Sequence, residues 1–191
     1  TAYTAFHIGV MNLYPLETWT YRLIHVGGGL VLGFLLFGAA TFPRDAEGGR
    51  VSPSVRLMLL APGIVAILVA LAQAIGFAAG TPVNQAAARD AYVATFGLPL
   101  TLGTAWVIAL GWVLPPRDRT RIDPGDLALA LAAATVALYI IVHAPFLRLR
   151  AGTALAKTAD MYATLAGVVL ILEMTRRLAG LALVIIAGVF I

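Results

Sequence analysis

The sequence predicts an all-α protein, a polytopic integral membrane helical bundle with four clear transmembrane helices and one or two further hydrophobic helices at its C-terminal end. Hydrophobic residues make up 61% of its 191 residues and charged residues only 12%. In soluble domains, roughly 45–50% of the residues are apolar and about 25% are charged. Several apolar runs reach the roughly 20 residues that a helix needs to cross the bilayer. None alternates polar and apolar residues, as the strands of a membrane barrel would.

The charge balance fits the same class of protein. A net charge of +4 would suggest nucleic acid as the ligand of a soluble protein, but here the basic residues lie mostly in short loops. Loop charges of this kind set orientation in the membrane, so nucleic acid is not an expected partner. The chain has no cysteine, which excludes disulfides and thiolate chemistry. The lipid bilayer is the expected surroundings of most side chains.

Four runs are long enough to span the bilayer, and short connections with charges, glycine or proline separate them. They lie at about 23–42, 57–79, 92–114 and 127–146. In front of the fourth run, Asp123 is the expected N-cap and Pro124 belongs to the first helical turn. These features predict four membrane-spanning helices.

The C-terminal part is less clear. The segment 161–175 either spans the bilayer or lies along it, and the segment 178–191 is shorter than a span needs. The chain as a whole, 1–191, is expected to form a single helical membrane domain. Because both ends fall abruptly in apolar sequence, we expect this domain to be a piece of a longer polypeptide. The alternative is a chain whose ends lie along the membrane interface or pack inside a larger complex.

The basic residues predict an orientation if the spans alternate. Eight fall on one side and five on the other, and the side with more Lys and Arg tends to be cytoplasmic. The first set comprises Arg44, Arg50, Arg56, Arg117, Arg119, Arg121, Arg176 and Arg177, and the second Arg22, Arg89, Arg148, Arg150 and Lys157. The first side is therefore predicted to be cytoplasmic.

Glycines in the first span predict close helix packing. The run Gly27-Gly28-Gly29, with Gly33 four residues after Gly29, gives this span a small-residue face that lets two backbones approach. No Lys-Ser or Lys-Thr follows, which argues against a phosphate-binding loop. In the second span, Pro62-Gly63 predicts a kink whose freed carbonyl is satisfied by a neighbouring helix.

Two histidines are candidates for a cofactor. His25 near the start of the first span and His143 near the end of the fourth fall near the same membrane face, so they could form a haem-ligating pair. Histidines near helix ends more often serve as interfacial residues or hydrogen-bond partners. A b-type cytochrome is thus a minor alternative, and the main prediction includes no cofactor or metal.

The most distinctive cluster of charges lies at the end of segment 161–175. Glu173 with Arg176 and Arg177 has the i to i+3 and i to i+4 spacing that brings a helical carboxylate beside two guanidiniums. Such pairing lowers the cost of charge near lipid.

No Ser-His-Asp set, carboxylate pair or metal-ligand spacing suggests a catalytic residue, so we expect no enzyme activity. No span has an unpaired charge at its centre, which argues against an ion pump.

Several stretches resemble one family. In the C-terminal third they are Leu149-Arg150-Ala151-Gly152-Thr153, Thr158-Ala159-Asp160, and Leu172 to Leu183 with the Glu173-Met174-Thr175-Arg176-Arg177 run. These stretches are similar to the N-terminal part of the fused permeases of tripartite ATP-independent periplasmic (TRAP) transporters. The run Arg22 to Val26, the run Leu32 to Leu36 and the position of Asp126 resemble the same family. The segment from about Leu57 to Leu114 has no counterpart, and Met174 and Val184 stand where the family usually has Ala and Pro.

The resemblance implies a function in transport. It implies a multi-pass protein of the bacterial inner membrane, sodium-coupled uptake of organic anions, and a periplasmic solute-binding protein as a partner. The family's substrate and ion sites would lie beyond Ile191, so no such residue is assigned here. The leading hypothesis is a membrane scaffold component of a TRAP-type permease, associated with the remainder of that permease. The alternative is a non-transporting accessory subunit packed against other membrane subunits of a larger respiratory or photosynthetic complex.

Overall fold

The computed structural model describes residues 2–38, 51–80, 93–114, 122–150, 152–153 and 157–189. These residues form helices and no strand, which confirms the all-α fold class. In chain order the helices are α1 (Ala2–Asn12), α2 (Thr18–Leu36), α3 (Pro53–Ala78), a π-helical turn (Val93–Gly97) that continues into α4 (Leu98–Val113), α5 (Pro124–Arg150), α6 (Thr158–Ala179) and α7 (Leu181–Val189).

Five of these helices are long and apolar enough to cross a membrane, namely α2, α3, α4 with its preceding π-helical turn, α5 and α6. The uncertain segment 161–175 is the middle of α6, which at 22 residues is long enough to span the bilayer. Of the segment 178–191, the first two residues belong to α6 and Leu181–Val189 form α7, which has no buried residue. The chain is therefore a multi-pass membrane protein with a fifth candidate span beyond the four clear ones.

Caps place the helix boundaries differently from the apolar runs. Helix α2 begins at Thr18 rather than about Leu23, because the Glu17 side chain accepts a hydrogen bond from the Thr20 amide at 3.0 Å. Helix α3 likewise begins at Pro53 behind the Ser52 cap. Helix α5 begins at Pro124 as predicted. The first turns of these helices are polar, so the apolar runs begin several residues after the helices do.

Glycines in α2 mark its contacts with α5 and α6. A Cβ built on Gly27 would lie 2.6 Å from the Ala137 Cβ, and one on Gly33 would lie 2.8 Å from the Met174 methyl group. Position 27 therefore needs glycine, because the Ala137 Cβ is fixed by its backbone, whereas the flexible end of Met174 could move away from a larger residue at position 33. At Gly29 the same atom would lie at an ordinary 4.0 Å from the Tyr3 hydroxyl. The close-packed face thus includes Gly33 but uses Gly27 rather than Gly29.

Helices α3 and α4 approach each other still more closely. A Cβ on Gly103 would lie 2.8 Å from the Gly63 carbonyl oxygen, so the two backbones are in contact. One turn away, Trp106 Nε1 donates to the Leu59 carbonyl at 2.9 Å. The carbonyl that loses its helical donor at Pro62 is that of Met58, four residues earlier, so the Trp106 bond to Leu59 lies beside the freed group and not on it. The predicted contact of the freed carbonyl with a neighbouring helix stays a prediction.

The successive spans alternate in direction, which gives the bundle two distinct ends. At the end called here the charged end, α2, α4 and α6 finish and α3 and α5 begin. At the opposite end, called the aromatic end, α2 and α6 begin and α3 and α5 finish. Six arginines of the orientation count, Arg44, Arg50, Arg89, Arg117, Arg119 and Arg121, lie outside the described residues.

Candidate functional site

Glu173 is the centre of a buried polar cluster near the end of α6. Its Oε2 accepts hydrogen bonds from Arg176 Nε at 2.8 Å and from Trp112 Nε1 at 2.9 Å. Its Oε1 accepts from Arg176 Nη2 at 2.9 Å and from Arg177 Nε at 2.8 Å. The two pairs expected from the helical spacing are both present, and the Trp112 contact adds α4. Four charge-assisted or polar donors thus stabilise one buried carboxylate.

Arg177 extends the cluster to two more helices. Its Nη1 donates to Asp126 Oδ1 at 2.7 Å and to the Phe37 carbonyl at 2.8 Å. Its guanidinium carbon lies 5.0 Å from the centre of the Phe34 ring, within the range of a cation–π contact. Asp126 lies in the first turn of α5, where the helix dipole also favours a carboxylate. Arg177 therefore connects the ends of α2 and α6 with the start of α5.

A second buried ion pair connects α3, α4 and α5. Arg56 Nη1 donates to Asp123 Oδ1, and Arg56 Nε donates to the Leu114 carbonyl at 2.7 Å. The other Asp123 oxygen accepts from the Gly125 amide at 2.8 Å, which is the capping contact predicted for this residue. One carboxylate therefore caps a helix and neutralises an arginine.

These contacts form what we call the charge network. It consists of Arg56, Asp123, Asp126, Glu173, Arg176 and Arg177, all at most 8% exposed. Three guanidiniums face three carboxylates, so the formal charges sum to zero. Unpaired charges in this environment would be very costly, whereas paired and hydrogen-bonded ones are tolerated. The arrangement is suited to holding the five spanning helices together at the charged end, since each pairing uses groups from different helices or successive turns.

The sequence indicated only part of this network. Glu173, Arg176 and Arg177 were found by their spacing, but the pairing of Arg56 with Asp123 was missed because 67 residues separate them. One signal was present: Arg56 lies in the first turn of α3, where the helix dipole disfavours a cation. An arginine at that position indicates a nearby carboxylate.

The two haem candidates lie in different clusters of rings. His143 is stacked on Tyr139 with ring centres 4.3 Å apart, and it meets the edge of Phe77 at 5.6 Å. His25 instead meets His7, with 2.7 Å between His7 Nε2 and His25 Nδ1. The structure thus places His25 against His7 of α1 rather than against His143.

Tyr3 completes the contact of α1 with α2. Its hydroxyl donates to the His25 carbonyl at 2.5 Å, and its ring occupies the space over Gly28, where a Cβ would lie 2.7 Å from Cε2. Burial raises the pKa of this hydroxyl, so it stays a donor at neutral pH. Tyr21 lies beside both histidines, with ring centres 5.5 and 6.3 Å away.

At the aromatic end, Arg148 of α5 pairs with Glu17 before α2 at 3.0 Å, and further polar contacts join α5 to the start of α6. Tyr139 donates to Asp160 Oδ1 at 2.7 Å, and Asp160 Oδ2 accepts from the Lys157 amide at 3.0 Å. Within the described ranges, no group of three or more His, Cys, Asp or Glu residues could hold a metal ion. Comparisons with protein-family models, with curated proteins and with solved structures gave no match.

Proposed function

We propose that this chain is the membrane scaffold portion of a TRAP-type permease of the bacterial inner membrane, with no substrate site of its own. In this role it braces the part of the permease that moves an organic anion. The periplasmic solute-binding protein and the remainder of the permease are its proposed partners.

One observation carries the proposal. Asp126, Glu173, Arg176 and Arg177 all belong to the stretches that resemble these permeases, and they meet in one buried network although 51 residues separate Asp126 from Arg177. Residues that share a motif for a structural reason are expected to contact each other in this way. Their contacts hold the ends of different helices together, as a membrane scaffold requires.

The polar groups of the spans support the absence of a substrate site. Every Asp, Glu and Arg that is buried among the described residues has a hydrogen-bonded partner of opposite charge. An anion or cation pathway normally needs ionisable groups that face a cavity in the membrane. Their mutual neutralisation suits a rigid support better than a transport path.

The first test is purification of the tagged protein from native membranes in mild detergent. Isolation together with a large permease domain supports the proposal. Co-migration with pigment or haem proteins contradicts it and supports an accessory subunit of a respiratory or photosynthetic complex.

The second test measures sodium-driven uptake of a labelled organic acid by the complete permease in proteoliposomes, with its solute-binding protein added. Gln73→Leu removes a polar side chain from the last third of α3, so an unchanged KM is expected if this portion binds no substrate. The matched control is Gln73→Asn, which keeps the amide. A several-fold higher KM for the leucine variant alone would contradict a scaffold role.

A further inference from the structure

The contact between α1 and α2 contains two histidines that face each other directly. His7 lies on α1 and His25 on α2, and 2.7 Å separates His7 Nε2 from His25 Nδ1. Two imidazole nitrogens bound tetrahedrally to one zinc ion would lie about 3.3 Å apart, given Zn–N bonds of about 2.0–2.1 Å. The observed distance is that of a hydrogen bond, so a proton lies between the rings.

The surrounding hydrogen bonds fix the position of each proton. His7 Nδ1 lies 2.8 Å from the Tyr3 carbonyl oxygen, which only accepts, so this nitrogen carries a hydrogen. In neutral His7 the other nitrogen, Nε2, is therefore an acceptor. His25 Nδ1 must then be the donor, which leaves His25 Nε2 with a lone pair.

Two added protons have opposite effects on this arrangement. The first can bind to His25 Nε2, because the His25 side chain is exposed, and the Nδ1–H donor then belongs to a cation and binds His7 more strongly. The second can bind only at His7 Nε2. Both facing nitrogens would then carry hydrogens at 2.7 Å, on two cations, and the contact could not persist.

We infer that the His7–His25 pair is an acid-sensitive lock that holds α1 against α2 until both rings are protonated. Among the described residues, the other titratable groups at this contact are the Tyr3 and Tyr21 hydroxyls, which are neutral at acid pH. Of the nearby charged residues on α2 and α5, Arg22 is exposed, and Glu17 is paired with Arg148 at 3.0 Å. Release of α1 would also break the Tyr3 contacts with the His25 carbonyl and Gly28.

The absence of cysteine allows a direct test with two introduced spin labels. Ala5 on α1 and Leu36 on α2 are both exposed, so each can be replaced by a spin-labelled cysteine. The distance between the two labels is measured by pulsed electron paramagnetic resonance with the protein in nanodiscs of zwitterionic lipid. Histidine side chains change charge between about pH 5 and 8, so the series runs from pH 8 to pH 4.5. We expect one short distance at pH 8 and loss of most of that population at the acid end of the series. A distance unchanged at pH 4.5 overturns the inference.

Three controls distinguish the lock from general acid unfolding. His7→Gln keeps an acceptor for His25 Nδ1 but does not titrate, so it should keep the short distance at every pH. His143→Gln makes the same chemical change in the other ring cluster and should leave the acid response intact. A second label pair on α3 and α6, at Met58 and Met161, should show no change. The opposite result in any of the three contradicts the inference.

Discussion

Arg177 contacts both α2 and α5 from its place in α6, so its removal should be strongly destabilising. Arg177→Gln takes from Asp126 a guanidinium 2.7 Å away and from Glu173 one of its donors, in a buried site. Loss of one partner from a buried ion pair costs about 3–5 kcal/mol. We expect a decrease of that size in the free energy of unfolding, measured by chemical unfolding in detergent micelles.

Two variants show whether charge or geometry matters at this position. Arg177→Lys keeps the cation but lacks the planar fork that contacts two oxygens, so an intermediate loss is expected. Arg22→Gln removes an exposed arginine from α2 and should change the free energy by no more than about 0.5 kcal/mol. Equal losses for Arg22→Gln and Arg177→Gln would contradict a structural role for the network.

Glu17 gives a prediction about pH. The Thr20 amide, followed by the Thr20 hydroxyl and Arg148, holds the pKa of this carboxyl below its ordinary value of 4.5. A lowered pKa in the folded state means that the carboxylate stabilises α2 above the ordinary pKa, and that this contribution is lost as the pH falls through the lowered pKa. Glu17→Gln should therefore lose less thermal stability than the wild type between pH 6 and pH 3. Identical losses in the two proteins would contradict the cap.

At the scale of single residues, the sequence predicted the local contacts and missed the distant ones. Glu173 meets Arg176 and Arg177 because all three lie on successive turns of one helix, a geometry that spacing alone defines. Arg56 and Asp123 meet only because two helices begin side by side in the fold. This pairing depends on how the helices pack in the bundle, so neither segment of sequence predicts it alone.

The crossing of α3 and α4 gives a prediction at the scale of the elements. Gly103→Ala would place a methyl group 2.8 Å from the Gly63 carbonyl oxygen, so the two helices must separate. Over-packing of this kind costs about 1–3 kcal/mol, which should appear as a lower unfolding free energy in micelles. Gly9→Ala is the matched control, since its Cβ would have no neighbour within 4 Å. There the better helix propensity of alanine should leave stability unchanged or slightly higher.

Helix positions were easier to predict than helix ends and helix partners. The apolar runs located each span because lipid demands a long apolar helix. The beginning of α2 was missed because a glutamate is an unusual cap, whereas the Asp123-Pro124 start of α5 follows the common pattern. For the glycines, the sequence indicated a close-packed face of α2 that included the run 27–29, and the contact with α5 shows that Gly27 of this run lies on it and Gly29 does not.

For the whole molecule, the five candidate spans and the positive-inside rule predict opposite locations for the two ends of the bundle. Thr153→Cys lies beyond the aromatic end and should react with a membrane-impermeant maleimide added to intact spheroplasts. Gly38→Cys lies at the charged end and should react only after the membrane is permeabilised. The reverse pattern would contradict the proposed orientation, and labelling of both on one side would contradict the number of spans between them.

The placement of the buried ion pairs has a mechanical consequence. Among the described residues, all of them lie at the charged end, whereas the Glu17–Arg148 pair at the aromatic end is half exposed. Helices that are held together at one end separate more easily at the other end when a lateral force acts on them. We therefore expect changes in bilayer thickness or lateral pressure to act on this protein mainly through the leaflet at the aromatic end, while the helices keep their spacing in the leaflet at the charged end.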